Sequence, residues 1–144
     1  MTTKRLNIIH INTQGIRNKI PDIALLIQEH KPDILLLQET WLNSMDPLVL
    51  NFNNYKTSEY RRTGGGGGFA ICIKPDITHS FSSKLTTNKG NEVMSVKIDD
   101  SKGNFIEIFN LYNNRTKNID IKFISDTLVD NNKIIIGDLN CKHP

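Results

Sequence analysis

Apolar positions along this chain come in short runs that end abruptly on polar or acidic residues. Ile34-Leu35-Leu36-Leu37 is followed at once by Gln38 and Glu39. Four consecutive aliphatics read as a strand buried on both faces, and Glu39 emerges where that strand leaves the core. The same grammar recurs at Ile134-Ile135-Ile136-Gly137-Asp138, with Asn140 two residues further on. A third Ile-rich stretch, residues 6–12, predicts a first strand that ends on Asn12, with Gly15 in the turn beyond it. Between the first two strands, Pro21 suits the first position of a helix. Ile23, Leu26, Ile27 and His30 form its apolar stripe, and Lys31-Pro32 stops it. Strand, helix, strand with short links is the signature of a crossover in a covered sheet.

The middle of the chain is less regular. Residues 40–56 carry turn signals only. Residues 55–60 and 69–73 read as strands, with residues 77–81 as a possible partner for the second. Residues 92–98 and 104–112 form a strand pair joined by a hairpin-type turn over residues 99–103. Residues 119–129 show a helical stripe of Ile121, Ile124 and Leu128. The order βαβ, antiparallel strands, helix, strand predicts a mixed-sheet layered α/β sandwich, not a doubly wound dinucleotide fold.

Composition narrows this only a little. The 144 residues suffice for one domain, 38% are hydrophobic and 23% charged, and the net charge of +3 permits a polyanionic partner without demanding one. Cys72 and Cys141 show no ligand spacing and read as reduced thiols of an intracellular protein. No apolar run approaches the roughly 18 residues of a membrane span, and no membrane partner is expected.

The chemistry lies at the strand ends: Asn12, Glu39, Tyr112, and Asp138 with Asn140. Glu39 is a hard oxygen ligand suited to Mg²⁺ or Mn²⁺, and Asn12 could add a neutral oxygen. Asp138 could orient or deprotonate a water. Asn140 and the Tyr112 hydroxyl could donate hydrogen bonds to a phosphoryl oxygen as charge builds there. That set suits metal-assisted hydrolysis of a phosphate ester. Each residue also has a plainer reading: Asn12 and Asp138 as turn formers, Tyr112 at a core edge, Glu92 as a solvated strand start. Arg61-Arg62-Thr63 leads into the run Gly64 to Gly68, which enters a strand and lacks the Lys-Ser/Thr of a phosphate loop. The run is either a flexible connector or a tight backbone approach, and the two arginines are either phosphate contacts or a solvated pair.

Five stretches together carry a resemblance. They are Ile11-Asn12-Thr13-Gln14-Gly15, Leu37-Gln38-Glu39-Thr40-Trp41, residues 63–71 with the glycine run, Asn110-Leu111-Tyr112, and Gly137-Asp138-Leu139-Asn140-Cys141-Lys142-His143-Pro144. In this order they resemble the endonuclease/exonuclease/phosphatase superfamily, and within it the apurinic-endonuclease-like domain of non-LTR retrotransposon polyproteins. The resemblance implies a DNase I-like fold and a Mg²⁺-dependent endonuclease that nicks DNA, leaving a 3′-hydroxyl to prime reverse transcription. DNA is the implied partner, with the element's own RNA reached through the full-length protein, and the nucleus is the implied place of action. Glu39 would bind the metal with Asn12 beside it, and Glu92 would stand near the site. Tyr112 would contact the scissile phosphate, Asp138 would position the attacking water and Asn140 would hold a phosphate oxygen. Asn113-Asn114-Arg115 replaces the proline-rich segment usual after the tyrosine. The family's Ser-Asp-His motif does not occur, so the expectation is one domain, residues 1–144, incomplete at its carboxyl end, and a fragment that is inactive or weak. The alternatives are a non-catalytic remnant and another phosphodiesterase of the superfamily.

Overall fold

The two strands with the most uniform apolar runs form as read. In the computed structural model, which describes residues 5–100 and 102–141, β2 (Ile34–Gln38) and β4 (Phe69–Ile73) are buried along their whole length. They belong to the first of two compact units, Met1–Ile77 and Thr78–Pro144.

The first unit holds β1 (Ile8–Asn12), a 3-10 turn (Arg17–Lys19), α1 (Ile20–His30), β2, β3 (Lys56–Tyr60) and β4. Its sheet has the order β1-β2-β4-β3. β1 and β2 run parallel, joined by the expected helical crossover, and β4 is antiparallel to both its neighbours. Pro21 lies in the first turn of α1, where its missing N–H costs nothing. Lys31 ends the helix in the left-handed conformation, its N–H donating to Ile27 O at 2.9 Å. Ile23 and Ile27 face the core as read, whereas His30, the last residue of the helix, is exposed. One face of the sheet packs Leu35, Leu37, Ala70 and Cys72 against Ile23 and Ile27 of the helix and Leu42, Leu50 and Phe52 of the long loop.

The second unit holds β5 (His79–Thr86), β6 (Glu92–Asp99), β7 (Phe105–Tyr112), α2 (Ile121–Thr127) and β8 (Lys133–Asp138), with sheet order β5-β6-β7-β8. β5, β6 and β7 form an antiparallel meander, and β8 returns parallel to β7. Two expectations need correction. Residues 77–81 do not partner β4; β5 begins at His79 and pairs with β6, since β4 already has a neighbour on each side. Also, Ile121 and Leu128 of the expected helical stripe are 66% and 46% exposed. Asp120 caps the helix by accepting from Phe123 N–H at 3.0 Å, and this start sets the phase so that Ile119, Phe123 and Ile124 pack on Val93, Phe109 and Leu111. Among the described residues, no helix is long and apolar enough to cross a membrane.

Candidate active site

The turn after β2 is held by its main chain. Glu39 and Trp41 both adopt left-handed backbone, with φ of +51° and +55°. That conformation costs an L-residue about 1–2 kcal/mol, so it persists only where the surroundings fix it. The fixing bonds are mostly backbone. Gly15 N–H donates to Glu39 O at 2.8 Å, Ile16 N–H to Thr40 O at 3.1 Å, and the Thr13 hydroxyl bridges Gln38 O and Glu39 O at 3.0 and 2.9 Å. On the other side, Thr40 N–H and Trp41 N–H donate to Gly68 O and Gly67 O at 3.2 and 2.9 Å.

This settles the two readings of the glycine run, each for part of it. Nothing lies near Gly64 and Gly65, which act as a spacer. Gly68, at φ +79°, lies so close to the segment after Glu39 that a Cβ there would meet Thr40 Oγ1 at 2.7 Å. Gly67 accommodates the Arg62 guanidinium in the same way. Arg61 is a clamp: its guanidinium donates to Asp46 O at 2.8 Å, Leu48 O at 2.6 Å and the Glu59 carboxylate at 2.9 Å. A phosphate would have to displace that set, so the expected phosphate contact at Arg61 does not match this geometry.

Asn12 ends β1 and reaches Glu39 across the parallel pair. Its Nδ2 donates to Glu39 Oε1 at 3.0 Å, while its Oδ1 accepts from Gln14 N–H at 3.1 Å. The second bond fixes which way the amide points, since a flipped amide would set donor against donor. Asn12 therefore orients the Glu39 carboxylate. Among the described residues no cluster of three or more His, Cys, Asp and Glu side chains forms. A single oriented carboxylate still fits Mg²⁺, which commonly takes one or two carboxylates and keeps several waters.

In the second unit the register gathers three expected residues into one row. Glu92 pairs with Tyr112 across β6 and β7, and Tyr112 pairs with Asp138 across β7 and β8. Directly paired residues share a face, so Glu92, Tyr112 and Asp138 are successive neighbours at one end of the sheet. Glu92 and Tyr112 are each 7% exposed, which overturns the solvated reading of Glu92.

Asn140 follows in left-handed backbone, φ +43°. Its N–H donates to Asp138 Oδ1 at 3.2 Å and its Nδ2 to Asn113 O at 2.6 Å. That second bond fixes the amide plane and leaves the other N–H available. Asn113, 1% exposed, is the hub. Its N–H donates to Asp138 O at 2.9 Å, and its Nδ2 donates to Leu139 O and Lys117 O at 3.0 and 3.1 Å. Its Oδ1 accepts from Asn91 Nδ2 at 2.7 Å, and Asn91 Oδ1 accepts from Asp120 N–H at 2.7 Å. Sequence reasoning passed over Asn91 and read Asn113 only as a departure; an unusual richness in Asn was the one available signal. Lys142, His143 and Pro144, which contributed to the resemblance, lie outside the described residues.

The family model described as the Endonuclease/Exonuclease/phosphatase family matches residues 9–144. The chain is similar to a protein of Drosophila melanogaster described as "Probable RNA-directed DNA polymerase from transposon X-element", with 29% identity over 85 residues. That match takes in 58% of this chain and 9% of the relative. Among solved structures, the endonuclease domain of TRAS1, a telomere-specific non-LTR retrotransposon, superimposes with a TM-score of 0.69 at 22% identity, covering 95% of this chain and 61% of that one. The TDP2 of D. rerio complexed with single-strand DNA product does so with a TM-score of 0.64 at 17% identity, covering 96% and 62%. These likenesses show the fold, and the chain spans under two thirds of each of these two structures' own length. With a family match over residues 9–144 and a mixed-sheet fold shared with these structures, the chain belongs to the endonuclease/exonuclease/phosphatase family.

Proposed function

We propose that this chain carries metal-dependent phosphodiester hydrolysis, as the DNA-nicking endonuclease part of a non-LTR retrotransposon protein. That protein would act in the nucleus and copy the element's own RNA. Family membership supports the reaction class, and the similarities to the X-element polymerase and the TRAS1 domain support the retrotransposon branch. The observation that carries the reading is the Glu39 carboxylate, held on strained backbone and oriented by Asn12 Nδ2 at 3.0 Å. Left-handed backbone fixed by many main-chain bonds, with an amide aimed at the carboxylate it carries, supports a site at this turn.

Glu39 would hold Mg²⁺ or Mn²⁺, with Asn12 fixing its rotamer. A cation held there would supply Lewis-acid stabilisation of negative charge on a phosphate ester. Asp138 accepts a proton from the attacking water, whose oxygen bonds to phosphorus as the bond from phosphorus to the 3′-oxygen breaks. The 3′-oxygen takes up a proton and leaves as a hydroxyl, and the phosphate stays on the 5′ side. The free N–H of Asn140 and the Tyr112 hydroxyl donate to a phosphoryl oxygen during that step.

The test is Glu39→Gln in the longest product of the reading frame that contains this chain. Glutamine keeps the volume and an oxygen for Asn12 to donate to, but loses the charge a hard cation needs. Mg²⁺-dependent nicking of supercoiled plasmid should disappear while thermal unfolding stays unchanged. Wild-type nicking by this variant would remove Glu39 from the reaction.

A further inference from the structure

Beside Asn140 lies a cavity of about 580 Å³ that the proposed reaction leaves without a task. It is lined chiefly by Asn113, Arg115, Thr116, Lys117, Asn118 and Asn140, all in the second unit. Two cations, three amides and a hydroxyl face it, and none of its lining residues is acidic among those described. Arg115 is exposed and makes no hydrogen bond or ion pair among the described residues.

The loop that carries the two cations is built, not slack. Asn114 Oδ1 accepts from both the N–H and the hydroxyl of Thr116 at 3.2 Å, and Lys117 N–H donates to Asn114 O at 2.8 Å. Buried Asn113 ties Lys117 O to the segment of Leu139, and buried Asn91 ties Asn118 O at 3.1 Å. Lys117 Nζ rests 3.5 Å from Gly90 O, and a Cβ on Gly90 would meet that nitrogen at 2.5 Å. Two cations gathered around a concave surface with no acidic lining repel one another, and the one long contact of Lys117 Nζ to Gly90 O is neutral and does not offset that repulsion. An anion in the cavity reverses that sign. Arginine and lysine framed by amide donors are the chemistry of a phosphate site.

We propose that this cavity is a phosphate subsite, in which Arg115 and Lys117 hold a phosphodiester of the DNA backbone next to the one presented to Asn140. This rests on the hydrolase reading and deepens it: the subsite sets the register of the strand by contacts that carry no sequence information. The residues standing where the family's proline-rich segment is expected thus gain a role in holding substrate.

The experiment measures binding of a short fluorescent DNA duplex in chelator, across salt concentrations, for the chain, Arg115→Ala, Lys117→Ala and the double variant. Each phosphate that is no longer neutralised lowers the slope of log K against log salt by about 0.9, so the double variant, which releases one phosphodiester, should drop by about one and bind about tenfold more weakly. Lys122→Ala, on exposed α2, serves as the control for general charge and should leave the slope unchanged. Unfolding curves of all variants should coincide, since both loop side chains are exposed. In parallel, inorganic phosphate is titrated while the Arg115 side-chain NMR signal is followed. Nicking and a salt slope both unchanged in the double variant would overturn the subsite and leave the hydrolase reading standing. An Arg115 signal shifted by phosphate, when the longest product of the reading frame never nicks DNA with Mg²⁺ or Mn²⁺, would keep an anion site and sink the hydrolase reading. A Lys122→Ala effect equal to that of Arg115→Ala, or no response to either DNA or phosphate, would overturn the subsite.

Discussion

Glu39 and Asp138 both close an apolar strand, yet the two turns are held by different means. Around Glu39 the bonds are mostly main chain to main chain, to Gly15, Ile16, Gly67 and Gly68, with the Thr13 hydroxyl and one side-chain amide, Asn12, acting on the carboxylate itself. Around Asp138 and Asn140 the bonds run through buried side-chain amides, Asn113 above all, backed by Asn91. Backbone clamping tolerates side-chain change but demands glycine where chains approach closely. An amide network tolerates backbone variety but depends on every partner being present. The two turns should therefore fail in different ways when altered.

The largest difference should appear in rate. Asp138→Asn keeps shape and removes the proposed proton acceptor, and in the longest product of the reading frame nicking of plasmid DNA should fall by about 10²–10⁴-fold with unfolding unchanged. Asn12→Ala removes the partner that orients Glu39 and should cost about 10–100-fold in the same assay, mainly through weaker metal saturation, so raising Mg²⁺ should recover part of it. Asn113→Ala should instead be read in stability. It takes the donor from Lys117 O and Leu139 O and one acceptor from buried Asn91, whose Nδ2 keeps Asn118 O; a group left buried and unsatisfied costs about 1–3 kcal/mol. Chemical denaturation and faster amide exchange in residues 114–118 would show it. Gly68→Ala should lower stability by about 1–2 kcal/mol from left-handed backbone alone, with the contact to Thr40 Oγ1 adding to it.

The two cysteines give a smaller, pH-dependent contrast. Burial pushes the Cys72 thiol up from 9.0 to about 12, whereas Cys141 is exposed. Above pH 9 the unfolded chain gives up the Cys72 proton while the folded chain keeps it. The contribution of this thiol is therefore complete below pH 9 and is lost as the pH climbs from there through about 12. A thiol reagent under native conditions should label Cys141 alone, and Cys72→Ala should flatten the alkaline arm of the stability curve.

Much of this contrast was open to sequence reading on one side only. β2 and the crossover before it declare themselves, since a run of aliphatics bounded by Pro32 and Glu39 has few other ways to be buried. The turn after β2 was harder, because left-handed Glu39 and Trp41 break residue preference and are stabilised by glycines almost thirty residues away. In the second unit the hairpin of β6 and β7 is local and was legible. The pairing of β5 was not, because periodicity says which residues are buried and not which strand lies alongside. Arg61 and Asn113 illustrate the remaining gap. Both are polar residues whose work is to hold backbone carbonyls, and a carbonyl leaves no trace in the sequence.

The claim on which the rest depends is that Glu39 holds a divalent cation, and Mn²⁺ titration followed by electron paramagnetic resonance tests it without reference to catalysis. The protein should take up one Mn²⁺ that Mg²⁺ displaces, Glu39→Gln should lose that site, and Asn140→Ala should keep it. A Glu39→Gln protein that binds Mn²⁺ as tightly and in the same proportion would contradict the account.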